Sequence, residues 1–322
     1  MFKRNIKERL DKALTQSPVV LLRGARQTGK STLVKMIAKE KNYSYVSFDD
    51  VRVYTAAKND PISFIADLSK PIILDEVQRV PEIFLTIKQD VDEHRNFGRY
   101  LLTGSADPLL IPQLGDSLAG RMQILTLYPF SQGEFLNKKD TFVDTIFNDR
   151  VHVVDEEALS KAALIKKIFI GGYPPIQTTT QTARYDWFSS YITLILEKDI
   201  KDLSRIADVT TFPNLLHILA SRAGNIVNVA DISRKSGIPI STLHRYMGLL
   251  VTLFIVDLQK AWTANMANRF IQSPKIYLVD SGLLSFLLDA TPEKIIQNPH
   301  LMGGIFENFV VSEIQKQLTW NT

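Results

Sequence analysis

Apolar positions in the first 140 residues fall into short, nearly unbroken runs. These are Val19-Val20-Leu21-Leu22, Tyr45-Val46-Ser47-Phe48, Pro71-Ile72-Ile73-Leu74 and Arg99-Tyr100-Leu101-Leu102-Thr103. Runs of this length, bounded by turn formers, read as strands buried on both faces. Longer amphipathic stretches separate them, such as Thr32 to Lys39 with Leu33, Val34 and Ile37 on one side. Strands alternating with helices predict an α/β fold, a parallel sheet with helices on both faces. The second half has a helical period instead. A short helix is predicted over 164–169 and a long one over 184–202, with Tyr185, Phe188, Ile192, Ile195 and Leu196 as its core-packing stripe. Then come a short amphipathic helix over 229–236, the turn Gly237-Ile238-Pro239 and a second helix over 240–250. This is helix-turn-helix spacing. Two apolar runs, 254–258 and 275–280, follow as strands, so a winged variant fits. Asp280, ahead of Ser281-Gly282-Leu283, is expected to cap a helix.

The turn after the first strand carries the chemistry. Gly24-Ala25-Arg26-Gln27-Thr28-Gly29-Lys30-Ser31 fits the P-loop pattern G-x-x-x-x-G-K-[ST] at every required position, and it lies between a predicted strand and a predicted helix. Glycines let such a loop close around phosphates. Amide groups at the helix start, with the helix dipole, attract anionic oxygens. Residues Gly24 to Thr32 are therefore the expected ATP-binding loop. Lys30 is expected to reach the β- and γ-phosphates, and the Ser31 hydroxyl to ligate Mg²⁺. The strand Ile72-Ile73-Leu74 ends in Asp75-Glu76, a Walker B arrangement. Asp75 is the expected magnesium acid, and Glu76 the acid that orients and deprotonates the attacking water. Ser105, with Thr103 as second choice, follows the next strand and is expected to polarise that water. Arg121, in Leu118-Ala119-Gly120-Arg121, is expected to stabilise charge on the transferred phosphoryl group, in cis or in a neighbouring subunit, or else to make a structural ion pair.

Composition narrows the alternatives. With 322 residues, 45% of them apolar, the chain can build two or three cores. The absence of cysteine excludes disulfides, thiol nucleophiles and cysteine-ligated metals, and it suits a reducing cytoplasm. The five histidines are scattered without metal-ligand spacing. No leader-like apolar run opens the chain, and no uncharged run is long enough for a bilayer, so no membrane partner is expected. The net charge of +4, from 38 basic against 34 acidic residues, permits nucleic-acid binding without demanding it.

Taken together, the P-loop, Ile73-Leu74-Asp75-Glu76-Val77-Gln78, Leu102-Thr103-Gly104-Ser105, and Ala119-Gly120-Arg121 with Tyr128-Pro129-Phe130 and Glu134 resemble a prokaryotic family of AAA-type ATPases whose second half is a domain of unknown function. The Arg-Gln pair inside the P-loop is the most specific part of that resemblance, which covers most of the chain. It implies ATP binding and hydrolysis, with Asp75 and Glu76 in the roles above, but supplies no substrate. Gly303 to Glu313 resembles the first helix of a restriction-endonuclease-like domain that the family usually carries last, in which Glu307 would be a metal-proximal acid. Nine residues follow Glu313 and bring no further metal acids, so this domain is expected to be truncated or absent, and the chain is not expected to cut nucleic acid.

The expected organisation is an ATPase core at 1–139, a helical lid or linker at 140–225, a winged helix-turn-helix at 226–290 and the start of the endonuclease-like domain at 291–322. Two functional readings stay open. In one, hydrolysis is coupled to DNA through Ser241, Thr242, His244 and Arg245 of the second helix. Alternatively the chain is a slow, nucleotide-controlled switch read by a protein. A small-molecule kinase is disfavoured by the Asp75-Glu76 pair.

Overall fold

The computed structural model describes residues 2–105, 118–148, 159–201, 210–263 and 272–321. They form two compact units. The first comprises Met1–Tyr128, Leu136–Asp140 and Thr319–Thr322, and the second Pro129–Phe135 and Thr141–Leu318.

The first unit is built on five strands, β1 (Val19–Arg23), β2 (Ser44–Ser47), β3 (Ile72–Asp75), β4 (Tyr100–Gly104) and β5 (Met122–Thr126). They pair in the order β2-β3-β4-β1-β5, and every pairing is parallel. Successive side chains of a strand point to opposite faces, and the core divides accordingly. Val19, Leu21, Ile72, Leu74, Tyr100 and Leu102 enter one apolar layer, with Ile83, Phe84, Ile87 and Val91 of α5 (Ile83–Glu93). Ala57 of α3 (Val51–Asn59) and Ile65 of α4 (Pro61–Asp67) complete that layer. Val20, Leu22, Ile73 and Leu101 enter the other, against Leu10, Ala13 and Leu14 of α1 (Lys7–Leu14) and Leu33, Val34 and Ile37 of α2 (Lys30–Lys41). The predicted two-faced parallel sheet is thus the observed one. The fifth strand was not foreseen. The polar Gln123 interrupts its apolar run, and Met122, Gln123 and Ile124 are only half-buried.

The second unit is mainly helical. Its elements are α6 (Gln132–Phe135), α7 (Phe142–Phe147), α8 (Lys161–Ile170), α9 (Gln181–Leu194), α10 (Phe212–Ala220), α11 (Val229–Ser236), α12 (Ile240–Thr252), α13 (Ser281–Leu287), α14 (Pro292–Gln297) and α15 (Pro299–Leu318), with the antiparallel pair β6 (Val256–Gln259) and β7 (Lys275–Leu278). The helix expected over 184–202 is α9, continued by a π-helical turn, Ile195–Asp199; Asp202 lies outside the described residues. Its buried stripe is Arg184, Phe188, Tyr191 and Ile192, with Ile195 and Leu196 beyond. Tyr185 is 55% exposed, so Arg184 occupies the inward position that the period assigned to Tyr185.

Helix α11 ends at Gly237, in the left-handed region at φ 71°, and α12 starts three residues later. On α12, Leu243, Tyr246, Met247 and Leu250 are buried, while Ser241, His244 and Arg245 are exposed and Thr242 is half-buried. Asp280 caps α13, accepting from the Leu283 N–H at 3.0 Å, and also accepts from the Gly172 N–H at 2.6 Å. Helix α15 is stitched to β7. Asn308 accepts from the Leu278 N–H and donates to its carbonyl, and Glu307 accepts from Lys275 Nζ at 2.9 Å and Tyr277 OH at 2.8 Å.

Candidate active site

The carboxyl ends of parallel strands, where the backbone must turn into a helix, are where α/β sheets place ligands. Here β1, β3 and β4 deliver their loops to one such edge. After Arg23 the chain turns at Gly24, whose N–H donates to Gly104 O at 3.3 Å. A Cβ on Gly24 would stand 2.1 Å from Leu127 O, so no larger residue fits between β1 and the end of β5. Gly29 lies at φ 95°, which disfavours any side chain, and it sets the direction from which α2 begins at Lys30. The first turn of α2 holds no acidic side chain of its own.

Within the loop, the Thr28 hydroxyl donates to Ala25 O at 3.0 Å. The buried Lys30 ammonium donates to Gly24 O at 2.9 Å and Ala25 O at 2.8 Å. Arg4, ahead of α1, clamps the loop from outside. Its Nη1 donates to Thr28 O at 2.7 Å and its Nη2 to Tyr128 O at 2.6 Å. Sequence reading passed over Arg4, because nothing local marks a residue twenty positions upstream as part of the loop.

Asp75, 2% exposed at the end of β3, meets the start of α2. The Ser31 hydroxyl donates to Asp75 Oδ1 at 3.2 Å, the Thr103 hydroxyl donates to the same oxygen, and Tyr45 OH donates to Oδ2 at 2.6 Å. Burial, reinforced by the bond to the Asp75 carboxylate, raises the Tyr45 phenol well above its ordinary value, so it remains a donor. Glu76 sits in the left-handed region at φ 62°, an unusual conformation for a residue with a side chain. Its N–H donates to Thr103 Oγ1 at 3.1 Å. Gln78 Nε2 donates to Glu76 Oε2 and, at 2.9 Å, to Ser105 Oγ, and the Ser105 hydroxyl reaches Glu76 Oε2 at 3.2 Å. The two hydroxyls weighed for one role have different partners. Thr103 bonds the first acid and Ser105 the second.

Arg121 is not brought to this cluster. It precedes Met122, which pairs with Val19 at the amino end of β1, whereas the P-loop follows the carboxyl end. At a strand rise of ~3.3 Å per residue the two ends are about 15 Å apart. The Arg121 guanidinium is paired with Asp92 at 2.5 Å. Arg26 and Gln27 lie in the loop half-buried and exposed, and Thr32 is exposed on the first turn of α2.

The donor set fits a magnesium nucleotide. Two hard oxygen groups, Ser31 and Asp75, meet at the start of α2, where the buried Lys30 ammonium donates to the backbone carbonyls of Gly24 and Ala25. Fold and site together define an AAA-type P-loop ATPase domain. Residues 16–136 match the family described as AAA domain, and 161–294 match a domain of unknown function, DUF8612. The chain belongs to the same family as the uncharacterized protein Rv2008c of Mycobacterium tuberculosis, to which it is 30% identical over 99% of its own length and 67% of that protein's. The uncharacterized protein MJ1544 of Methanocaldococcus jannaschii is 22% identical over 94% of this chain and 68% of its own. The chain thus spans about two thirds of each relative. Among solved structures, the Walker-type ATPase paby2304 of Pyrococcus abyssi has a similar fold, with a TM-score of 0.52 at 15% identity, covering 89% of this chain and 96% of that one. Among the described residues no helix is long and apolar enough to cross a membrane.

Proposed function

We propose that the first unit binds ATP with Mg²⁺ and hydrolyses it. The observation that carries this reading is the meeting of Ser31 and Asp75 at 3.2 Å beside a second acid, Glu76, already coupled to Ser105. In this reading the backbone from Gly24 to Thr32 holds the phosphates. The Lys30 ammonium exchanges the carbonyls of Gly24 and Ala25 for phosphate oxygens. Ser31 and Asp75 hold the magnesium ion, which neutralises charge on the phosphates when bound. Thr103 and Tyr45 hold the Asp75 carboxylate in place beside Ser31.

Glu76 then takes the part of general base, orienting water and accepting its proton. Ser105 positions that water, and Gln78 fixes the separation of Glu76 and Ser105 through one amide group. Arg121, remote from the site of its own chain, takes its charge-stabilising part toward the site of a second copy. Turnover would change the placement of the second half of the chain.

A second reading concerns the output. Helix α12 presents Ser241, His244 and Arg245 to solvent and is followed by an antiparallel strand pair, as in a winged helix, which favours DNA as partner. Two exposed basic-type side chains are few for phosphate neutralisation, so a protein that reads the nucleotide state is the alternative. Binding to duplex DNA that weakens steeply with salt and accelerates ATP turnover supports the first; a flat rate with nucleotide-dependent protein capture supports the second.

The site itself is tested by magnesium-dependent ATP uptake and phosphate release. Lys30→Ala should lower turnover by ~10²–10³, the scale of removing one electrostatic stabiliser of the transition state. Unchanged turnover in that variant removes the P-loop from the reaction.

A further inference from the structure

The second unit buries a positive charge that its own side chains leave unanswered. Arg184 faces inward from α9 on the stripe with Phe188 and Tyr191, where helical periodicity calls for an apolar residue, and only 7% of it is exposed. Its Nη2 donates to Thr179 O at 3.1 Å, and the guanidinium lies 5.5 Å from the centre of the Phe169 ring. Its Nε is enclosed without a hydrogen-bond acceptor. Burial lowers its pKa from the ordinary arginine value, and no carboxylate counters that effect. A guanidinium nevertheless stays protonated in a protein, so the charge is present and unpaired among the described residues.

Arg184 also lines a cavity of about 370 Å³, within the size range of small-molecule sites. The walls are aromatic. Tyr185 and Phe286 meet edge to face at 4.9 Å, and Phe188 stacks on Phe286 at 5.6 Å. Asp289 borders the same cavity, but its carboxylate is turned to Lys294 Nζ at 2.8 Å and its side chain is 80% exposed. A buried cation bordering a ring-lined space asks for one kind of ligand.

We propose that this cavity binds a small monoanion with a flat apolar body, an aromatic carboxylate, whose charged end meets Arg184 while its ring packs among Tyr185, Phe188 and Phe286. One arginine with few other donors suits a single negative charge better than a phosphate dianion, which takes several charge-assisted bonds. The site is in the second unit and does not depend on the nucleotide reading of the first.

The test is calorimetric titration of the full chain with 2-naphthoate and with its neutral amide, 2-naphthamide. Naphthoate should bind once per chain, with the amide at least about tenfold weaker, since the amide keeps an acceptor for Arg184 but loses the negative charge that strengthens the bond. Arg184→Gln should bring the two ligands to equal affinity. Thr182→Trp, a substitution at an exposed residue on the cavity rim, should weaken naphthoate by tenfold or more and leaves the core untouched should the arginine variant fail to fold. Equal affinities for acid and amide in the unsubstituted chain, undiminished naphthoate binding in Thr182→Trp, or no uptake of naphthoate would each overturn the assignment.

Discussion

Two buried charged groups, one in each unit, are met in opposite ways. In the first, the buried carboxylate of Asp75 accepts hydrogen bonds from Ser31, Thr103 and Tyr45, and the buried Lys30 donates to two carbonyls of its own loop. In the second, the guanidinium of Arg184 has one backbone carbonyl, one aromatic face and an N–H without an acceptor. Burying a charge is costly unless it is paired and hydrogen-bonded. The first arrangement solves that cost with neighbouring hydroxyls and backbone. The second leaves it to be met from outside the described side chains. The P-loop, contiguous along the chain, is readable as a motif, whereas a cavity assembled from residues 169 to 291 is not.

Within the first unit, the contrast is sharpened most by Gln78. Its amide is the link between Glu76 and Ser105, so Gln78→Ala should lower kcat by about tenfold and leave ATP affinity nearly unchanged, the loss being one of orientation. Steady-state kinetics with separately measured binding check this, and an equal fall in affinity would place Gln78 in nucleotide binding instead.

Acid and base should act on the two units with opposite sign. Burial alone would raise the Asp90 pKa, but bonds from Arg99, at 2.6 and 2.8 Å, and from Tyr100 outweigh it and hold the carboxyl below its usual 3.8. A depressed folded pKa means stability that is present above 3.8 and lost as pH falls through the folded value. Asp280, wholly buried, is shifted up from 3.8 by burial, against the opposing effects of Lys316 and of backbone N–H groups. A raised folded pKa means stability that is full below 3.8 and lost as pH rises through the folded value. Denaturant unfolding between pH 2 and 8 should show Asp90→Asn flattening the loss on the acid side and Asp280→Asn flattening the loss on the rising side. The same slope change from both substitutions would contradict the contrast.

The smallest effect belongs to Arg121. Its pair with Asp92 is about one third exposed on each side, so Arg121→Ala should cost at most about 1 kcal/mol of stability and leave ATP uptake by one protomer unchanged. Mixing that variant with Lys30→Ala separates its two roles. Recovered turnover assigns Arg121 to the site of a second copy, and no recovery leaves it the partner of Asp92. Lost uptake in Arg121→Ala alone would contradict its position at the amino end of the sheet.

What could be read from the sequence follows the same division. The P-loop and Asp75-Glu76 were legible because each is contiguous and each sits at the end of an apolar run. The strands β1, β3 and β4 were legible for the same reason, being fully or nearly fully buried. Edge strand β5 was not, because the polar Gln123 interrupts its apolar run. Tyr45 and Arg4 were missed as parts of the site because their contacts span 30 and 24 positions, a distance at which no local pattern survives. On α9 the helical period was read correctly, but polarity was allowed to choose the face. Tyr185 was placed inward and Arg184 was overlooked, although the geometry of the turn puts Arg184 in line with Phe188 and Tyr191.

The measurement that bears most directly on the central claim is single-turnover ATP hydrolysis by Glu76→Gln beside the unsubstituted chain, with retained nucleotide counted in the presence and absence of Mg²⁺. Loss of a positioned general base should slow hydrolysis by ~10²–10⁴ while magnesium-dependent ATP stays bound at one per chain. Rapid hydrolysis in that variant, or no magnesium-dependent ATP on either protein, would contradict the account.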